Sequence, residues 1–298
     1  MALVVETTTT ATVSNADSVT INKPTGVVEG DLLVLVASGY GTNAPSCSGF
    51  TVGVTKTQDN SGIVKDASVS LLYKIAGDSE PSTYTVTLSG ANTSGSACML
   101  RISGWTTGNP IYRSSNAGGN HDTASISLGT SGLSLVRPTA SLLIQAWCHQ
   151  GNNAVTMDTY AVTSSGSNPS WTEVTESSFS AGGGIDTITL ACAYANDSDV
   201  SAITAFSATA TSSTSGDPEG YAGIFAVICE PNSPTTDVSQ IAVTPTLFAP
   251  TVTQVNTAPT ISHLDTEPDV FSATARATAP TQWTNEAKPS TTWTNETL

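Results

Sequence analysis

The stretch Gly30-Asp31-Leu32-Leu33-Val34-Leu35-Val36-Ala37 decides the fold, because a similar stretch begins 110 residues later, at Ala140. The second copy reads Ala140-Ser141-Leu142-Leu143-Ile144-Gln145-Ala146-Trp147. Both copies are apolar, largely β-favouring and too short for a buried helix, which is typical of a strand covered on both faces. A repeated central strand predicts a repeated module.

The similarity continues beyond the central strand. Gly41-Thr42-Asn43-Ala44 returns as Gly151-Asn152-Asn153-Ala154, and residues 69–80 align without a gap on residues 188–199. An alternating strand follows in each copy, and an apolar run closes it, at 97–102 and at 222–228. The preserved order of these landmarks favours duplication over chance similarity between Ser/Thr-rich strands.

The composition predicts an all-β fold. Charged residues make up only 11% of the 298 residues, and Ser, Thr, Gly and Asn fill the spaces between short apolar runs. No stretch of a dozen residues shows a 3.6-residue period. We therefore expect two tandem, related β-sandwich modules of jelly-roll-like type packed together, either as two abutting sandwiches or as one larger two-sheet body.

Four segments follow from this reading. Residues 1–18 form an N-terminal arm that is either an edge strand or a docking segment. Residues 19–111 form module 1 and residues 112–231 form module 2. Residues 232–298 contain scattered short apolar pieces among seven prolines, so they cannot offset their conformational entropy alone and should form an extended docking tail.

The charge balance excludes two classes of partner. Nine basic residues against twenty-four acidic ones give a net charge of −15, which repels phosphate backbones and anionic membrane surfaces. The N-terminus lacks the basic and apolar regions of a signal peptide, and no run approaches the roughly 20 apolar residues that span a bilayer. We expect neither nucleic-acid binding nor membrane insertion, and synthesis in a cytoplasm.

The five cysteines predict free, buried thiols. Their number is odd, and no CxxC or other metal-type spacing occurs. Four lie in or beside apolar runs, which favours small buried hydrophobes over a disulfide framework. Cys148 and Cys192 are the first pair to test, because their strands are candidate neighbours.

The tail carries the residues predicted to dock. Trp283-Thr284-Asn285-Glu286 recurs as Trp293-Thr294-Asn295-Glu296, a period of ten between Trp283 and Trp293. Tryptophan on a polar, unfolded segment is costly to leave in water, so we predict that Phe248, Trp283 and Trp293 anchor the tail in pockets of another chain. The alternative is that the tryptophans fold back onto the same body.

No catalytic constellation stands out. HExxH, GxSxG and GxxxxGK are absent from the sequence, so we predict a protein that is not an enzyme and uses no cofactor. Asp78, Glu80, Asp197 and Asp199 recur at equivalent positions and are candidate Ca²⁺ ligands. Turns that need Asp and Ser for local hydrogen bonds explain the same recurrence and are favoured, so no metal is predicted.

Exposed aromatic side chains near strand ends could bind sugars by stacking. The candidate glycan contacts are Tyr40, Trp147, Trp171 and Tyr221. Core packing is the favoured role of Trp147 and Trp171.

With these motifs in view, the chain resembles structural proteins of tailed bacteriophages. The resemblance rests on Pro-x-Gly-Val-x-x-Gly-Asp-Leu-Leu-Val at 24–34, on the Pro-Ser-Gly-aromatic-Thr type of turn that follows, on Thr-Pro-x-Leu-Phe at 244–248, and on the terminal Trp-Thr-Asn repeats. Cys47-Ser48 interrupts the turn in the first copy, and Trp171 lacks the preceding Gly. The resemblance implies a virion component, on the capsid or on the tail.

We therefore expect a non-enzymatic accessory structural protein of a phage particle, of the capsid-decoration or head/tail-fibre type. Its C-terminal tail would anchor it to a neighbouring virion protein, and we expect it to form a homo-oligomer located in the virion. The rival hypothesis is a glycan-binding adhesin that recognises the host surface through module loops. A glycosidase with two converging carboxylates is a third hypothesis.

Overall fold

The described part of the chain consists of strands and their connections. The computed structural model describes residues 3–59, 66–88, 94–105, 108–121, 124–135, 140–151, 154–181, 186–212 and 219–229, and no helix occurs among them. The all-β prediction is confirmed. The segment 232–298 and its predicted anchors Phe248, Trp283 and Trp293 lie outside the described residues.

Two sets of eight strands repeat one topology. The first set is β1 (Val4–Val13), β2 (Ser18–Asn22), β3 (Leu32–Tyr40), β4 (Ser46–Cys47), β5 (Thr51–Gln58), β6 (Ala67–Ile75), β7 (Thr83–Thr87) and β8 (Gly95–Ser103). The second set is β9 (Ile111–His121), β10 (Ser125–Leu135), β11 (Ser141–Gly151), β12 (Val155–Thr163), β13 (Thr172–Ala181), β14 (Asp186–Asp197), β15 (Ile203–Ser212) and β16 (Glu219–Cys229). We call them the first and the second sandwich.

Each sandwich pairs a five-stranded sheet with a three-stranded one. The orders are β1-β8-β3-β6-β5 with β2-β7-β4, and β9-β16-β11-β14-β13 with β10-β15-β12. Adding eight to each strand number of the first sandwich reproduces the second. The strand pairs are antiparallel. The duplication expected from the two central runs is therefore present in the strand order.

The hydrogen-bond register repeats as well. One row of partners across the first five-stranded sheet is Thr8, Leu100, Val34, Tyr73 and Thr51, and the corresponding row of the second is Ser114, Ala226, Ile144, Tyr194 and Thr172. Both edge strands also bulge at matched places. The extra residues are Gly53 and Val174 in β5 and β13, and Glu6 and Tyr112 in β1 and β9.

The structure corrects one sequence alignment by two residues. The ungapped match placed Val69 on Ile188, whereas the register places Ala67 on Ile188 and Tyr73 on Tyr194. A shift of two keeps every side chain on the same face of the strand, because side chains alternate with period two. The apolar pattern therefore fits both alignments, and only the ladder distinguishes them.

The two five-stranded sheets pack face to face, which gives four layers. Leu32, Val34 and Val36 of β3 share a core cluster with β11 and β16, while Leu33 and Leu35 face the three-stranded sheet of their own sandwich. In β11, Leu142 and Ile144 belong to the central cluster, and Leu143 and Trp147 to the inner core of the second sandwich. Both faces of each central strand are covered, which explains its unbroken apolar run.

Contacts between the sandwiches are reciprocal. β3 lies against β11, β6 contacts β11 and β16, and β14 in turn contacts β3 and β8. At the margins β5 lies along β9, and β13 lies near β1. Such reciprocity is the signature of a two-fold relation between like units, here within one chain.

The N-terminal arm is resolved in favour of an edge strand. β1 pairs with β8 along its length, from Val4 to Val13, and its Thr7 and Thr9 hydroxyls donate to the Thr25 and Asn22 carbonyls. The side chains of β1 alternate between exposed and half-buried. This alternation suits a strand at the margin of a sheet.

Candidate functional site

Trp147, a candidate glycan contact for which core packing was the favoured role, is a core residue. Its indole is 1% exposed and packs against Phe206 and Tyr221, with ring centroids 5.4 and 6.3 Å away. Its Nε1 donates to Gln145 Oε1 at 3.3 Å, and Gln145 Nε2 donates to the Ala161 carbonyl at 2.8 Å. An enclosed ring with a satisfied N–H cannot stack on a sugar.

The other three aromatic candidates are partly exposed but not brought together. Tyr40 ends β3, and Tyr221 lies opposite His149 near the end of β11, so both are at the end of the body where the central strands finish. Trp171 precedes β13 at the opposite end, packs on Tyr160 at 6.0 Å and donates to Asn168. No single aromatic platform includes all three.

Glu80, a candidate Ca²⁺ ligand, is engaged by protein donors. Its carboxylate accepts from Lys74 Nζ at 2.7 Å, from the Tyr84 hydroxyl at 2.6 Å and from the Gly77 amide at 2.7 Å. Burial by itself raises the pKa of Glu80, but the hydrogen bonds from Lys74, Tyr84 and Gly77 outweigh it and lower the pKa to about 2. The arrangement fixes the loop between β6 and β7, while Asp78 is exposed on the same loop.

Asp197 and Asp199 cap the loop between β14 and β15. Asp199 accepts from the Ser201 amide at 2.8 Å, from the Ser201 hydroxyl at 2.6 Å and from the Ser164 hydroxyl at 3.0 Å. Asp197 accepts from the Asp199 amide at 2.9 Å. These are the local hydrogen bonds of Asp and Ser in turns. Among the described residues, no three His, Cys, Asp or Glu side chains are grouped to hold a metal ion.

All five cysteines are free and buried. The strands of Cys148 and Cys192 are neighbours, as expected, but Cys148 lies opposite Leu190. Cys192 instead contacts Cys98 across the interface of the two sandwiches, and this contact together with burial raises its pKa. Burial also raises the pKa of Cys148 to about 12. These thiols behave as small hydrophobes.

A buried His–Glu pair, which the sequence did not reveal, lies inside the second sandwich. His149 Nε2 and Glu219 Oε2 are 3.0 Å apart, and both side chains are 4% exposed. Gly151 leaves room for the carboxylate, because a Cβ there would overlap Glu219. In the first sandwich, Gly39 holds the position of His149. The pair is enclosed and links β11 to β16.

A surface groove, also unpredicted, lies at the margin where β5 runs along β9. Its volume is about 330 Å³, and it is lined by Val52, Gly53, Tyr73, Asn109, Ile111, Tyr112, Arg113 and Ser114. We call it the seam groove. It lies beside the bulges of β5 and β9. Gly53 has no side chain there, and a Cβ at this position would come within 2.9 Å of the Leu71 side chain and 3.0 Å of the Ile111 side chain. No sequence motif marks these residues, since they come from three separate segments, 52–53, Tyr73 and 109–114.

The Tyr73 hydroxyl fixes one wall of the seam groove. It donates to Asn109 Oδ1 at 3.3 Å, and the same oxygen accepts from the Ile111 amide at 3.1 Å. Further along the margin, Asn116 Nδ2 donates to the Thr55 carbonyl at 3.1 Å. The side chains of β9 thus cover the open edge of β5.

Comparison of the chain with protein-family models, with curated proteins and with solved structures finds no match in any of the three. In the described part of the chain, no helix has the length and apolar character to span a membrane.

Proposed function

We propose that this chain is a non-enzymatic accessory structural protein of a tailed-phage particle, of the decoration or fibre type. Its two jelly-roll-like sandwiches would form a displayed body, and residues 232–298 would attach that body to a neighbouring virion protein. The observation that carries the proposal is the mutual burial of the two five-stranded sheets. This burial gathers residues of both sandwiches into one hydrophobic cluster within the described residues, and a body of that kind suits display on a particle.

The proposed attachment uses extended backbone and aromatic anchors. A proline-punctuated segment can add to a sheet edge of its partner, with main-chain hydrogen bonds giving affinity and side chains filling pockets. Phe248, Trp283 and Trp293 are the anchors, because large aromatic residues dominate the energetics of interfaces. Copies of the protein would assemble as a closed homo-oligomer on the particle.

The location of the protein tests this proposal. An antibody against the folded body, applied to purified particles of the phage that encodes the chain, should label the capsid or the tail in electron micrographs. Particles from a strain in which the gene is deleted are the control and should remain unlabelled. Particles of the parent strain that lack the protein, while it accumulates free in the infected cell, would refute a virion role.

The second candidate function is glycan recognition at the host surface. It is favoured by the partial exposure of Tyr40, Trp171 and Tyr221. Alanine substitutions at these positions should then remove binding on a glycan array while the unfolding midpoint stays within a few degrees of that of the unmodified protein. Unchanged array binding in all three variants would exclude these residues as contacts.

A further inference from the structure

We propose that the seam groove is a binding site for a carboxylate-bearing saccharide, with Arg113 holding the carboxylate. This inference goes beyond the structural role proposed above and does not depend on it, because it concerns binding by the isolated protein. The volume of the seam groove, about 330 Å³, is at the lower end of the range of small-ligand sites.

The first argument is the setting of the cation. The chain has only nine Lys and Arg residues and a net charge of −15, so cationic side chains are rare on its surface. The Arg113 guanidinium lies 4.6 Å from the centroid of the Tyr112 ring and donates to the Tyr112 carbonyl at 3.0 Å. Among the described residues, no carboxylate pairs with it. Its remaining N–H groups can therefore donate two parallel hydrogen bonds to a carboxylate.

The second argument is the mixed chemistry of the walls. Val52 is 57% exposed, and Tyr73 adds aromatic surface beside it, so an apolar face of a sugar ring has surface to pack on. Asn109 and Ser114 offer donors and acceptors for hydroxyl groups. Alternating apolar and hydrogen-bonding surface is what a sugar ring requires.

The third argument comes from the duplicated margin, where β13 lies near β1. Structural equivalence places Glu173 and Val174 at the positions of Val52 and Gly53. It likewise places Glu6 and Thr7 at the positions of Tyr112 and Arg113. The second margin thus carries carboxylates and no cation, and Val174 supplies the side chain that Gly53 lacks. Two copies of one scaffold differ in the residues that would receive an anion.

The pair D-glucuronic acid and D-glucose tests the inference, because the two sugars differ only in the carboxylate at C6. Isothermal titration of the full chain at pH 7 should show glucuronate bound at least about tenfold more tightly than glucose, the worth of one charge-assisted hydrogen bond. Arg113→Thr, which installs the residue of the second margin, should lower glucuronate affinity to the level of glucose. Lys56→Thr removes the same charge outside the groove and should leave the affinity unchanged.

Acetate separates a saccharide site from a simple anion site. Displacement of bound glucuronate by an equal concentration of acetate would overturn the inference. So would equal binding of glucose and glucuronate, undetectable binding of glucuronate, or unchanged binding by Arg113→Thr. Because Arg113 is exposed, the variant should unfold at the same urea concentration as the unmodified chain, and that measurement accompanies each titration. None of these results bears on whether the protein belongs to a particle.

Discussion

Ser38 and Cys148 occupy equivalent positions in the two sandwiches and lie against each other across the interface. Their equivalence follows from the ladders, in which Ser38 lies opposite Val69, and Cys148 opposite Leu190. The Cys148 thiol is in contact with the Ser38 side chain and the backbone around it. Equivalent residues meet only on a symmetry axis, so the two sandwiches form a two-fold pair within one chain.

A larger side chain at Cys148 should therefore push the two sandwiches apart where they meet at the symmetry axis. We expect Cys148→Phe to lower the free energy of unfolding by about 1 to 3 kcal/mol, because the packed interface has no room for the ring. Urea unfolding followed by tryptophan fluorescence measures the change. Cys148→Ala is the control and should cost about 1 kcal/mol or less, since it removes one sulfur atom. Equal stability of the Phe variant and the unmodified chain would contradict close packing at this position.

The five thiols should be unreactive in the folded protein. Each is buried, and the raised pKa of Cys148, about 12, leaves almost none of its reactive thiolate at pH 8. A thiol-specific chromogenic disulfide should label none of them within minutes, and all five once urea is added. A titre of three in urea would reveal a disulfide and contradict the structure.

Gly223 should not tolerate a side chain. A Cβ at this position would overlap the Trp147 ring, which fills the space over the glycine. We expect Gly223→Ala to destabilise the protein by about 2 kcal/mol, the usual cost of overpacking a core. Gly77→Ala is the matched control, because the nearest atom to its Cβ would be Glu80 Oε1 at 3.7 Å. Equal stability losses in the two variants would show that Trp147 is not seated there.

Glu80 should stabilise the protein above pH 4.5 and cease to do so in acid. Its pKa falls from an ordinary value of 4.5 to about 2 on folding, so the stabilisation is fully present above the unfolded pKa and is lost as pH falls through the folded one. We expect Glu80→Gln to lose roughly 1 to 2 kcal/mol at pH 7, after allowance for screening by solvent, and almost nothing near pH 2.

Urea unfolding between pH 2 and pH 7 measures that difference. Asp78→Asn, on the exposed part of the same loop, serves as the control and should unfold like the unmodified chain at pH 7. A constant gap between Glu80→Gln and the unmodified chain at every pH would show that the carboxylate is not held in its charged form.

The duplicated central strands were readable from the sequence because burial on both faces leaves a continuous apolar run, as at residues 32–37 of β3. Alternation of side chains fixed which face each residue covers, but period two could not distinguish two alignments of β6 on β14. The choice between abutting sandwiches and one larger body was also open. The strand order shows that each half forms its own sandwich, and the cluster that joins Val34 to Ile144 shows that the two sandwiches abut.

The sites were less predictable, because they depend on contacts between distant segments. For Trp147 the sequence left a glycan contact open beside the favoured core packing, and only the positions of Phe206 and Gly223 against its ring exclude the contact. The seam groove requires β5 and β9 to meet at their bulges, and a bulge leaves no local sequence signal. The tail anchors Phe248, Trp283 and Trp293 lie outside the described residues and stay predictions.

The most direct measurement compares particles assembled with the full chain and with residues 1–231 alone, by counting the copies of the protein per particle. The truncated chain should fold with an unchanged urea midpoint yet be absent from the particles. The full-length double variant Trp283→Ala/Trp293→Ala should be present in fewer copies per particle than the unmodified chain. Particles that carry the truncated chain at the same copy number as the full chain would contradict the assignment of attachment to the C-terminal segment.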